Sequence, residues 1–135
     1  MEKPRVLVAR QVFPEVIDRL RQHFEVDDNE ADVVLGAEGL KARLADKDGV
    51  MSAVTDPVSA EVIATAPRLK AVCNFAVGFN NIDLAACTAA GVMATNTPGV
   101  LDDTTADLAW ALLMASARRL PAAERWTRNG QWKGW

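Results

Sequence analysis

The stretch Val72–Val100 reads VCNFAVGFNNIDLAACTAAGVMATNTPGV, and its alternation of apolar and polar segments decides the fold class. Val72–Phe75 is typical of a buried strand, Ile82–Ala90 of a helix, and Val92–Thr95 of a second strand. A strand, a helix and a further strand in this order predict one unit of a parallel α/β sheet.

A glycine-containing loop follows the first of these strands. Ala76, Val77 and Gly78 turn away from the strand, so their backbone N–H groups can converge above its carboxyl end. Ligands of parallel α/β sheets collect at that end, and convergent backbone N–H groups bind anions. The loop is therefore a candidate anion-binding site.

The same alternation runs through the first 98 residues. Five predicted strands alternate with four predicted helices: Arg5–Ala9, Pro14–His23, Phe24–Asp27, Ala37–Asp46, Gly49–Val54, Ser59–Thr65, Lys70–Phe75, Ile82–Ala90 and Val92–Thr95. Ser59 and Asn81 are the predicted N-caps of the third and fourth helices, and Gly91 is the predicted end of the fourth. We expect an α/β fold: a flavodoxin-like parallel five-stranded sheet with helices on both faces.

The pattern changes after Pro98. Thr104–Leu120 predicts one long helix whose apolar positions cover more than one face, with Thr104 as a candidate cap, and Pro121 begins a shorter helix. Three of the four tryptophans lie within Trp126–Trp135, which favours packing against a partner or against further sequence; docking onto the chain's own domain is the alternative.

Composition excludes several classes of function. The 15 basic and 18 acidic residues give a net charge of −3 without runs of like charge, so we expect no nucleic-acid or membrane partner. Cys73 and Cys87 are expected to be reduced core thiols, and with a single histidine no metal site is predicted. The longest apolar stretch, Leu108–Ala117, is too short to span a bilayer, and a cytoplasmic protein is expected.

Three segments carry a resemblance to a known family: NFAVGFNNIDL from Asn74, GVMATNTPGVLDDTTADLAWALLMASARR from Gly91, and RNGQWKGW at the end. They resemble the N-terminal part of the D-isomer-specific 2-hydroxyacid dehydrogenases, and most of all the glyoxylate/hydroxypyruvate reductases. The resemblance is most specific over Asn74–Arg119, whereas about the first 48 residues share only the β-α rhythm.

The resemblance implies an oxidoreductase that transfers hydride from NADH or NADPH to the keto carbon of a small 2-oxo acid. Residues 1–98 would form the substrate domain, and residues 99–135 the connecting helices and the start of a truncated Rossmann domain. It also implies a homodimer through the helices of residues 104–130.

The resemblance assigns roles to a few residues. The N–H groups of Val77 and Gly78 would hold the substrate carboxylate, next to Ala76. Val54 would line the pocket without a charge, which favours a small substrate such as glyoxylate or hydroxypyruvate over a phosphorylated one. Thr105 is a candidate cofactor contact, although helix packing explains it equally well.

Other parts of the family pattern are absent from the sequence. There is no Gly-x-Gly-x-x-Gly fingerprint, and the arginine, histidine and glutamate of the family's chemistry belong to a later segment. No catalytic residue is therefore assigned, and the chain alone is expected neither to catalyse hydride transfer nor to bind the cofactor tightly. His23 is predicted to be a surface residue and Asp56 a turn residue. Asn74, Asn80 and Asn81 suit substrate binding, a turn or a cap equally.

Two other classes of function are consistent with this kind of scaffold. A non-catalytic binding or corepressor-type regulatory protein is the main alternative, because the residues that distinguish it are not in the sequence. A receiver domain is disfavoured, because Arg10 and Gln11 follow the first strand where an acidic pair is needed, and Asn96 follows the fifth where a lysine is needed.

Overall fold

The computed structural model describes residues 2–134, which form two compact units divided between Pro98 and Gly99. The elements are β1 (Arg5–Val8), α1 (Pro14–Arg21), β2 (Glu25–Asp28), α2 (Gly36–Leu44), β3 (Gly49–Ser52), α3 (Ala60–Ala64), β4 (Ala71–Asn74), α4 (Leu84–Ala90), β5 (Met93–Thr95), α5 (Asp102–Ala117) and α6 (Leu120–Arg128). All five strands lie in the first unit.

The strands form one parallel sheet in the order β2-β1-β3-β4-β5. Val6 is paired with Val26 on one side and with Gly49 on the other, which places β1 inside the sheet. The predicted flavodoxin-like α/β fold is confirmed. Parallel pairing places the loops that follow the strands at one edge of the sheet.

The main apolar core lies on the sheet face that α2, α3 and α4 cover. Leu7, Val50 and Val72 project from the three central strands into one cluster with Leu40 and Leu44 of α2, and each is at most 2% exposed. The three strand residues point to the same side of the sheet because side chains alternate between the faces of a strand. Burying each such side chain stabilises the fold by roughly 1.5–3 kcal/mol.

The opposite face of the sheet is only partly covered. Val8 of β1 and Ile17 of α1 are buried outside the main cluster. On the same face, Met93 is 65% exposed and Cys73 is also exposed. The expectation that Cys73 is a core thiol is therefore wrong: its side chain lies on the partly covered face and is exposed. Cys87 is buried as expected, and burial raises the pKa of its thiol.

Local signals at the ends of α3 and α4 are correct in two cases and wrong in one. The Ser59 hydroxyl accepts the Val62 N–H at 3.4 Å, and Gly91 has a φ of +69°, so both predicted ends are confirmed. Asn81 is not the cap of α4. Asp83 takes that role by accepting the Ala86 N–H at 2.9 Å, because α4 begins two residues later than predicted.

The second unit consists of α5 and α6. Helix α5 begins earlier than predicted, with Leu101 rather than Thr104 at its N-cap position, and ends at Ala117. Neither helix contains a buried residue, and Trp126 of α6 meets Trp132 edge-on with ring centroids 5.5 Å apart. Across residues 2–134, no helix is both long enough and apolar enough to cross a membrane.

Candidate functional site

The candidate site lies at the edge of the sheet where β3, β4 and β5 end. Because β3 stops at Ser52 and β4 at Asn74, Val54 and the Ala76–Gly78 loop both belong to the turns at this edge. The polar residue Asn96 directly follows β5 at the same edge. Ligands of parallel α/β sheets bind in this position.

The carbonyl groups of the loop are held by the segment after β5. The Thr97 N–H donates to the Ala76 carbonyl oxygen at 2.9 Å, and the Asn96 side-chain amide donates to the Val77 carbonyl oxygen at 2.9 Å. Both contacts have ordinary hydrogen-bond lengths. They hold two successive peptide groups of the loop in one orientation.

A third carbonyl is held from within β4. The Asn74 side-chain amide donates to the Gly78 carbonyl oxygen at 2.8 Å. Asn74 is 2% exposed, and its own side-chain oxygen accepts the Ser52 hydroxyl at 3.0 Å. Since a buried, fully bonded amide cannot rotate without losing these partners, Asn74 is a rigid support for the loop.

The loop's N–H groups stay available once its carbonyl groups are bonded. Within residues 2–134, the N–H groups of Val77 and Gly78 donate to no protein acceptor. Gly78 is exposed, and nothing lies within 4 Å of the position that a Cβ would take there. Two adjacent free N–H groups beside open space can bind an anion such as a carboxylate.

The turn after β3 stands next to this loop. Asp56 is fully buried and accepts the Ala53 N–H at 2.8 Å, which confirms the interpretation of Asp56 as a turn residue. The Asn81 side-chain amide donates to the carbonyl oxygens of Ala53 and Asp56, both at 3.0 Å, and so ties this turn to the segment after β4. Val54, in the turn between Ala53 and Asp56, is 56% exposed and carries no charge.

One ion pair borders the turn. Arg10, directly after the last paired residues of β1, donates to both carboxylate oxygens of Asp32 at 2.8 and 2.9 Å. Together with the Gln11 N–H, this guanidinium lowers the pKa of Asp32 from 3.8 to about 2. Asp32 is thus a carboxylate throughout the physiological pH range.

The remaining candidate residues lie outside this group. His23 follows α1 at the amino end of β2, which is the opposite edge of the sheet, and its ring lies 6.4 Å from that of Phe24. Thr105 belongs to the second unit, where it is exposed and its N–H donates to the Leu101 carbonyl oxygen within α5. Residues 2–134 contain no cluster of three or more side chains suited to a metal ion.

The described residues do not fit the pyrophosphate of a dinucleotide. The turn from β1 into α1, Arg10–Phe13, contains no glycine, and α1 carries Glu15 in its first turn. Helix α5 begins with Asp102 and Asp103, whose carboxylates repel a phosphate from its N-terminus. No step of a reaction is therefore assigned to a cofactor held by these residues.

Sequence reasoning does not identify the residues that hold the loop. It makes Asn74 and Asn81 candidates for substrate contact, a turn or a cap, but their amide groups are engaged with the backbone of the two turns. Asn96 is notable in the sequence only because a receiver domain needs a lysine at this position. The sequence feature that could have indicated these supporting residues is an asparagine at the end of β4 and another directly after β5.

Comparison with known proteins agrees with the fold. The chain matches the family described as D-isomer specific 2-hydroxyacid dehydrogenase, catalytic domain, over residues 6–128. It is 44% identical over 131 residues to the glyoxylate reductase of Korarchaeum cryptofilum and 45% identical over 131 residues to that of Thermococcus onnurineus. Each alignment covers 97% of this chain but only 40% and 39% of the relative, so the chain spans about 40% of their length.

Solved structures lead to the same family. A protein from Thermus thermophilus superposes with a TM-score of 0.83 at 38% identity, over 97% of this chain and 42% of that one. The NADPH-dependent glyoxylate/hydroxypyruvate reductase of Sinorhizobium meliloti, solved with citrate, superposes with a TM-score of 0.76 at 36% identity, over 98% and 40%. The resemblance seen in the sequence is confirmed: this chain belongs to the D-isomer specific 2-hydroxyacid dehydrogenase family.

Proposed function

We propose that this chain provides the substrate-binding part of an NADH- or NADPH-dependent reductase of small 2-oxo acids such as glyoxylate or hydroxypyruvate. In this proposal the first unit is the substrate domain, and the N–H groups of Val77 and Gly78 bind the substrate carboxylate. One observation carries the proposal: three successive carbonyl groups of the loop are bonded to the protein, while the two N–H groups between them are not.

The substrate class is supported by two further observations. Relatives that are 44% and 45% identical are named glyoxylate reductases, and a structural neighbour from Sinorhizobium meliloti was solved with citrate and, in another crystal, with NADP and malonate. Citrate and malonate carry carboxylates, the group that two free backbone N–H donors bind well. We infer that carboxylate recognition is the task of this chain.

The proposed pocket favours a small substrate. Ala76 and Val54 supply short apolar side chains beside the two N–H groups and no positive charge for a phosphate. We propose Thr105 as a contact to the nicotinamide end of the cofactor in the whole protein. Since the Gly-x-Gly-x-x-Gly motif is not among these residues, the chain by itself is proposed to bind the carboxylate weakly and to lack reductase activity.

We also propose that the helices of residues 104–130 mediate a homodimer. Helix α5 exposes large apolar side chains on more than one face: Leu108, Trp110, Leu112, Leu113 and Met114. Exposed apolar surface of this extent marks an interaction site.

Light scattering can test the dimer. The measured mass of the unsubstituted chain should be twice 14.6 kDa, and replacing Leu112 and Leu113 by glutamate should restore the monomer mass. A monomer mass for the unsubstituted chain would contradict the proposal.

Carboxylate binding can be tested on the 135-residue chain by NMR. Titration with glyoxylate should shift the amide resonances of Val77 and Gly78 first, because hydrogen bonding to an anion deshields an amide proton directly. Glycolaldehyde, which has the same carbon chain without the carboxylate, should leave both resonances in place.

A different result would reject the assignment. If glyoxylate shifts only resonances far from the Ala76–Gly78 loop, or if glycolaldehyde shifts Val77 and Gly78 equally, the loop does not recognise a carboxylate. In that case the chain would be better explained as a non-catalytic binding protein on the same scaffold.

A further inference from the structure

A second network approaches the proposed pocket from the side of β1. The Arg10 Nε and Nη2 atoms bind Asp32, while its Nη1 donates to the Thr55 hydroxyl at 2.9 Å. Arg10 and Thr55 are 45 positions apart in the sequence, and each follows a different strand. The guanidinium therefore bridges the end of β1 and the turn after β3.

Asp32 holds the guanidinium firmly on its other side. It accepts the Gln11 N–H at 3.0 Å and has a φ of +49°, an uncommon conformation outside glycine. Its N–H donates to the carbonyl oxygen of Asn29, which is 6% exposed and donates to the Ala9 carbonyl at 2.8 Å. A bidentate pair on such a support leaves Arg10 little freedom to rotate.

The middle of the turn after β3 depends on this arginine. Its ends, Ala53 and Asp56, are bonded to each other and to Asn81. Among residues 2–134, the contact from Arg10 to the Thr55 side chain is the one hydrogen bond that holds Val54 or Thr55. Thr55 is therefore the residue through which Arg10 can restrain its chain neighbour Val54.

We propose that Arg10 is a positioning residue that selects small 2-oxo acids by holding Thr55, and with it Val54, beside the Val77–Gly78 N–H groups. The inference rests on the proposed function, since it assigns a neighbour to the same carboxylate site. In this arrangement the role of Arg10 is indirect: three of its five N–H groups are bonded to Asp32 and Thr55. Without that bond, the turn moves and admits larger 2-oxo acids.

The test compares three forms of the 135-residue chain: unsubstituted, Thr55→Val and Thr55→Ser. Valine keeps the shape of threonine and removes the acceptor, whereas serine keeps the hydroxyl. Dissociation constants for glyoxylate and phenylpyruvate are measured from the Gly78 amide shift. Thr55→Val should lower the preference for glyoxylate by roughly fivefold, the effect of one hydrogen bond of about 1 kcal/mol, and Thr55→Ser should retain it.

A second readout does not depend on any ligand. Backbone relaxation of the free chain should show that Thr55→Val lowers the amide order parameters of Val54 and Thr55, while Thr55→Ser does not. If these order parameters and the preference stay unchanged in Thr55→Val, the inference is overturned and the carboxylate site stands. If the unsubstituted chain shows no glyoxylate-dependent shift at Val77 and Gly78, the proposed function fails and the selectivity role fails with it.

Discussion

The side-chain amide of Asn96 donates a 2.9 Å hydrogen bond to the carbonyl oxygen of Val77, across 19 positions of sequence. This contact joins the segment after β5 to the loop after β4, and it orients the peptide group between Val77 and Gly78. The N–H of Gly78 belongs to that same peptide group. An asparagine side chain therefore controls the direction of a proposed binding group that it does not touch.

Replacing Asn96 by alanine should weaken carboxylate binding more than it weakens the fold. Loss of one hydrogen bond of about 1 kcal/mol frees the peptide group and should lower glyoxylate affinity roughly fivefold. NMR titration of the Gly78 amide measures the effect. The matched control is Asn80→Ala, which removes an exposed asparagine that follows β4 and should leave the affinity as it is; equal losses in both variants would argue against the role of Asn96.

Alanine should be tolerated at Gly78 but not at Gly91. Gly91 ends α4 with a φ of +69°, and an alanine there is strained by about 1–2 kcal/mol. Gly78 does not have a positive φ, and nothing lies within 4 Å of an added Cβ. Urea denaturation should show lower stability for Gly91→Ala and nearly unchanged stability for Gly78→Ala. Equal stability of the two variants would contradict the backbone conformation at Gly91.

The two cysteines should differ in reactivity. Cys73 is exposed on the partly covered sheet face, whereas Cys87 is 2% exposed and burial raises the pKa of its thiol, which lowers its thiolate fraction. A disulfide reagent such as Ellman's should label one thiol quickly in the folded chain and both in denaturant. Cys73→Ser should abolish the fast phase; a fast phase that persists in this variant would mean that Cys87 is accessible.

Asp32 should make the fold sensitive to acid. Its pKa is lowered from 3.8 to about 2 in the folded chain, chiefly by the hydrogen bond from Arg10. A depressed carboxyl pKa stabilises the fold above the unfolded-state value and loses that effect as the pH falls through the folded-state value. The stability difference between the unsubstituted chain and Asp32→Asn should therefore be full at pH 5 and shrink between about pH 4 and pH 2.

Urea denaturation of both forms at several pH values measures this difference. Asparagine is a suitable replacement because it accepts a positive φ and keeps one side-chain oxygen for the Gln11 N–H. Other paired carboxylates titrate in both forms, so they cancel in the comparison. A difference that stays constant from pH 5 to pH 2 would show that Asp32 is not paired with Arg10 in solution.

Much of the fold was predictable because it depends on local patterns. Apolar runs such as Gly49–Ser52, helix ends at Ser59 and Gly91, and short connections between them lead to a parallel sheet with few alternatives. Boundaries were less exact: β3 and β4 are shorter than predicted, and the cap of α4 is Asp83 rather than Asn81. Several nearby polar residues have the chemistry of a cap, and the final position of the helix decides between them.

The exposure of Cys73 could not be inferred from the sequence of the strand that contains it. Val72 and Cys73 are neighbours in β4, and both are small enough for a buried position. Side chains alternate between the two faces of a strand, but only the placement of the helices decides which face is covered. Helices α2, α3 and α4 cover the face of Val72, so Cys73 stays exposed.

By itself, the sequence determined the α/β class and the Ala76–Gly78 loop as an anion-binding candidate, because these follow from hydrophobic periodicity and turn chemistry that act over a few residues. Only the tertiary structure decided which side chains hold that loop. Asn74, Asn81 and Asn96 each have an amide that can bond to many partners, and their partners were settled when the sheet brought the turns after β3, β4 and β5 to one edge.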